Sequence, residues 1–65
     1  MYNVNNVSKS YANQKYAVIR EYENEYWYYC SYDSIEHAQY ACNQLCNGLI
    51  VETESIVVKN FSHAW

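Results

Sequence analysis

The sequence predicts an α+β domain of ββαβ order, a small antiparallel sheet with one helix packed on one face. Three observations lead there. Two β-branched and aromatic runs, residues 15–21 and 26–31, flank a short polar segment. Apolar residues then recur with a 3.6-residue period from Ile35 to Cys46. A further β-branched run, residues 49–58, follows the single glycine and reads as one strand, as a strand broken near Glu54-Ser55, or as a second hairpin turning there. The chain has 65 residues, enough for one domain at most, and domains of this size bury only about 60% of the surface their unfolded chains expose. Hydrophobic residues make up 51%, but nine of them are Tyr, whose hydroxyl needs a partner or water. Leu, Ile, Val and Phe supply only about a fifth of the chain, the lower edge of what supports a core.

By composition the chain divides into a polar N-terminal arm (1–14), a single ββαβ domain (15–58) and an aromatic C-terminal tail (59–65). The arm is rich in Asn, Ser and Gln, with isolated Tyr2, Val4, Val7 and Tyr11, and taken alone reads as disordered. In the domain, Tyr16-Ala17-Val18-Ile19 opens the first strand and Tyr26-Trp27-Tyr28-Tyr29-Cys30-Ser31 forms the second. Between them Glu23-Asn24 is a two-residue turn, because Asn tolerates the left-handed backbone that tight hairpins need. Asp33 can cap the helix, with Glu36 three residues on completing a capping box. Asn47-Gly48 stops it, Gly48 fitting the left-handed closing residue. The tail carries Phe61, His63 and Trp65, which are costly to leave in water and should dock.

One helix covers one face of a sheet, and this hairpin is apolar or aromatic on both. With a Glu23-Asn24 turn, Ile19 faces Tyr28 and Ala17 faces Cys30 on one side. Tyr16, Val18, Trp27 and Tyr29, with Arg20, share the other. The first, smaller set is assigned to the helix. The second set is the predicted partner-binding face, with Glu21, Glu23 and Glu25 as an acidic rim at the hairpin tip. Its cover could be arm and tail, a second copy of the chain, or a foreign protein.

Other classes of function lack support in the residues. The net charge is −3, with Lys9, Lys15, Arg20 and Lys59 dispersed, so the basic footprint of direct nucleic-acid binding is missing. No apolar run nears the ~20 residues of a membrane span, and residues 1–6 do not resemble a secretory leader. Cys30, Cys42 and Cys46 form no even framework and read as buried free thiols in a reducing cytoplasm. Cys42 and Cys46 share a helical face, but no second ligand pair completes a zinc site. There is no nucleophile elbow and no phosphate-cradling loop. The expectation is a non-enzymatic protein with neither cofactor nor metal.

The block formed by residues 15–20, 26–29, 32–38 and 47–51 resembles the small ββαβ proteins of phages, prophages and other mobile elements. That resemblance implies a cytoplasmic inhibitor of anti-CRISPR or anti-defence type, which binds a host protein such as a defence or nucleic-acid enzyme. It carries over no functional residues. Two alternatives stand beside it: a self-associating accessory homodimer, and a sponge for a small nucleotide-like ligand at a dimer interface.

Overall fold

The computed structural model describes residues 1–63. Its strands are β1 (Tyr2–Asn5), β2 (Tyr16–Tyr22), β3 (Glu25–Tyr32), β4 (Gly48–Glu52) and β5 (Ile56–Val58). Helix α1 (Ile35–Asn43) joins β3 to β4, and 3-10 turns occupy Tyr11–Asn13 and Thr53–Ser55. The α+β class is as expected. The topology is not: five strands form one mixed sheet, in the order β4-β2-β3-β1-β5. Only β2 opposes its neighbours; β1 runs parallel to both β3 and β5.

The extra strands come from segments the composition set aside. Tyr2-Asn3-Val4-Asn5 lies between β3 and β5, with Val4 fully buried. Past it, Val7 bridges Phe61 and donates its N–H to the Asn60 carbonyl at 3.1 Å. Arm and tail therefore dock on their own domain through backbone pairing, while the Phe61 ring stays 46% exposed and His63 is exposed, contrary to the expected burial of the tail's rings. The expected docking of Trp65 lies outside the described residues.

The hairpin forms as the turn chemistry requires. Glu23 and Asn24 have φ of 53° and 65°, and Tyr22 pairs with Glu25 across them. The strands stay in the expected register as far as Ile19 opposite Tyr28. A bulge then makes Tyr29 an extra residue on β3, so Val18 meets Cys30 and Ala17 meets Ser31 rather than Cys30.

The sheet shields much of its second face by curling. The edge strands β4 and β5 are joined only by Thr53–Ser55. Four peptide steps span at most ~14 Å, whereas four interstrand gaps in a flat sheet need roughly 19 Å. Strong curvature closes the difference. Val4, Ala17, Ile19, Val51 and Ile56 accordingly meet in one core although they come from four strands, and Val7 and Tyr11 plug it. Thr53 secures the closure: its N–H donates to the Lys15 carbonyl at 2.9 Å and its hydroxyl to the Gln14 carbonyl at 2.7 Å.

This reverses the assignment of faces. The concave core holds Ala17, Ile19 and Tyr28; the helix lies on the convex side, over Val18, with Tyr16, Tyr32 and Ile50 around it. Of the set expected to stay open, Val18 and Tyr16 lie under the helix instead. Helix residues Ala38 and Ala41 are short enough to seat α1 close to β2 and β4. Two helix details also differ from expectation. The cap is Ser34, not Asp33: its hydroxyl accepts the Glu36 N–H at 3.2 Å. The helix stops earlier than expected, at Asn43 with Gln44 as a right-handed cap; the left-handed residue is Asn47 (φ 59°) in the loop beyond, and Gly48 opens β4.

Candidate protein-interaction surface

Helix α1 lies over β4, β2 and one end of β3, and among the described residues it is the one helix packed on the convex face. Alternation along β2 puts Arg20 on the same side as Val18, and Arg20 pairs with Trp27. Trp27 is 36% exposed and Tyr29, at the bulge, 51%. Both rings stand outside the two cores. Across β1, Val57 faces the same way, because its neighbours Ile56 and Val58 turn into the concave core. The strip of exposed side chains on this side is Arg20 on β2, Trp27 and Tyr29 on β3 and, beyond Asn3 and Asn5 of β1, Val57 on β5.

Of the residues predicted for this face, Arg20, Trp27 and Tyr29 are brought together on it. Val18 is removed from it, fully buried beneath the helix. Tyr16 is half-buried against the same helix, with Lys15 Nζ 5.4 Å from its ring centroid. Val57 was not among the predicted residues, although the break read near Glu54-Ser55 falls where the Thr53–Ser55 turn separates β5 from β4. Ile56-Val57-Val58 is apolar throughout, so the residues themselves give no alternation that marks Val57 as the outward one.

The acidic rim splits into two roles. Glu21 and Glu23 are exposed at the hairpin end. Glu25 is drawn into a structural network: its Oε1 accepts from Lys59 Nζ at 2.7 Å and from Asn5 Nδ2 at 3.2 Å. Asn5 Nδ2 also donates to the Tyr26 carbonyl, and Asn5 Oδ1 accepts from Asn60 Nδ2 at 3.0 Å. The network ties the hairpin to both ends of the chain. The Lys59 hydrogen bond, then that from Asn5, and the Lys59 charge hold the Glu25 carboxyl below its ordinary value of 4.5.

Little in the described residues suggests a reaction centre. No three His, Cys, Asp or Glu side chains converge among them. The thiols are free, but only partly in the expected places: Cys30 and Cys42 are half-buried, whereas Cys46 is exposed because α1 ends before it. Burial raises the Tyr28 phenol, though its 2.6 Å bond with the Ser31 hydroxyl opposes the shift. Burial and then the neighbouring Cys30 raise Tyr32. A cleft of about 340 Å³ is lined by Arg20, Glu21, Tyr22, Cys46 and Asn47. It offers a phosphate one cation and a repelling carboxylate, which gives a nucleotide ligand little purchase. No described helix is long and apolar enough to cross a membrane. No family model, curated protein or solved structure matches the chain significantly.

Proposed function

We propose that the chain is a small protein-binding module that docks through the strip of Arg20, Trp27, Tyr29 and Val57. One observation carries this reading: two large aromatic rings, Trp27 and Tyr29, are left outside both cores. Tyr, Trp and Arg are the side chains most enriched where partners bind tightly. Glu23 in the turn, with Glu21 at the same hairpin end but on the Ile19 side of β2, favours a partner that carries basic groups next to an apolar slot. The likeness to small mobile-element proteins narrows the class to a non-enzymatic inhibitor of a host protein of the anti-CRISPR or anti-defence kind. A nucleic-acid enzyme, whose own surface is basic, suits the acidic rim.

The test pairs folding with binding. Trp27→Ala with Tyr29→Ala should leave the circular dichroism spectrum and melting temperature nearly unchanged. Affinity for a basic nucleic-acid enzyme of the host that the native chain inhibits should fall at least ~100-fold, the effect of losing hot-spot residues. Glu21→Lys with Glu23→Lys should slow association and reverse its salt dependence. Equal binding by the aromatic double variant, or its unfolding, would remove the strip from the interface.

A further inference from the structure

The two edges of the sheet are unequally protected. Strand β5 has three residues, and Lys59 immediately after it is clamped to Glu25. Short edges and lysines are the usual devices against unwanted strand pairing. Strand β4 has five residues, Gly-Leu-Ile-Val-Glu, with no Lys, no Pro and an unbroken register on β2. Its ladder shows which groups point outward. The Thr53 N–H donates to Lys15 and the Glu21 N–H to the Asn47 carbonyl at 3.2 Å. Odd-numbered residues therefore bond to β2, and alternation turns the N–H and C=O groups of Gly48, Ile50 and Glu52 away from it. The Glu52 carbonyl accepts the Ser55 hydroxyl at 2.7 Å. Among the described residues, no hydrogen bond reaches the outward groups of Gly48 or Ile50.

We propose that this edge pairs antiparallel with the same edge of a second copy, about a two-fold axis at Ile50. The pattern of the strand selects the occupant. In that register Ile50 meets its counterpart, Leu49 meets Val51, and Glu52 meets Gly48. The two Glu52 carboxylates then lie roughly 13 Å apart along the ladder, beyond the ~8 Å Debye length at physiological salt. Sliding toward the C-terminal end would bring like charges face to face, which is unfavourable. Only the Ile50-centred register pairs all five residues. It forms about six backbone hydrogen bonds and covers Leu49, which is 36% exposed. This inference uses residues remote from Trp27 and Tyr29, and stands or falls apart from the docking strip.

Sedimentation equilibrium from about 10 μM to about 1 mM, a range that brackets weak association, should show one chain passing to two. Amide exchange followed by NMR over that range should slow at Gly48, Ile50 and Glu52 as concentration rises. Leu49 and Val51, already bonded to β2, should not respond. Semisynthesis joining residues 1–45 to a peptide beginning at Cys46 can place N-methyl isoleucine at position 50, removing only the outward donor. That chain should keep its spectrum and lose dimer affinity at least ~10-fold; Leu49→Arg, altering an exposed side chain, should weaken it similarly. A single chain throughout the range, protection outside the alternating trio, or undiminished association of both variants would overturn the proposal.

Discussion

Gly48 and Asn47 divide between them two tasks that a helix end often gives to one residue. Asn47 adopts the left-handed conformation, which an L side chain tolerates best when it is Asn. Gly48 is needed for space: a Cβ there would sit 2.9 Å from Cys42 Sγ and 3.0 Å from the Cys42 carbonyl oxygen. Sγ can rotate away, but the backbone oxygen cannot. Gly48→Ala should therefore cost about 1–3 kcal/mol in urea unfolding, the range for overpacking. Asn47→Gly should be neutral or stabilising by up to about 1 kcal/mol. The opposite ranking would mean that the closing conformation belongs to residue 48 after all. Sequence alone placed the helix stop at Asn47-Gly48, past the actual last residue Asn43, and could not separate these roles, because close approach leaves no mark on a spacing pattern. The cap was ambiguous for a similar reason: Asp33 and Ser34 are both good caps, and the chain direction leaving β3 decides between them.

Among the elements, the β2–β3 hairpin is bound to the termini through Glu25, and that contact sets a pH response. The carboxyl of Glu25 is lowered when folded, so its contribution is present above the ordinary value of 4.5 and is lost as pH falls through the lower folded value. Stability measured by chemical denaturation should decline as acid enters that window. In Glu25→Gln the part of the decline owed to this residue should vanish, leaving a flatter profile. An unchanged acid limb would place the response in other carboxylates. The hairpin, helix and following strand were legible because each has a local signature: a two-residue turn, a 3.6 period, a β-branched run. Which face the helix would cover was not. Both faces are apolar, so local pattern gives no preference, and the curl of the whole sheet decides. Trp27 and Tyr29 were still found as exposed rings. Val18 was misplaced with them because a helix now lies where open surface was expected.

At the scale of the molecule, residues 1–7 are part of the centre. Burying Val4 and Val7 contributes about 3 kcal/mol by area alone, against a total of about 3–10 kcal/mol for a domain of this length. Removing residues 1–7 should thus abolish cooperative thermal unfolding, and a synthetic peptide of residues 1–14 supplied in excess should restore it. A truncated chain that still melts cooperatively would show that β1 is dispensable. The arm was hard to read because four residues are too few to set a period, and its Asn content resembles a disordered segment. In hindsight Tyr2 and Val4 alternate with Asn3 and Asn5, the pattern of a strand with one face inward. Asn5 looked like a solubilising residue, yet it is buried and holds Glu25, Tyr26 and Asn60 together.

Because β1 pairs with β5, Tyr2 opposite Ile56, its ladder closes only when segments far apart in the sequence have met. Such distant pairings make for slow folding. A nascent chain halted before Ile56 would hold the ββα unit with an open concave side, a substrate for chaperones rather than a working protein. Translation would deliver this molecule in a single closing event, with no useful half-finished form along the way.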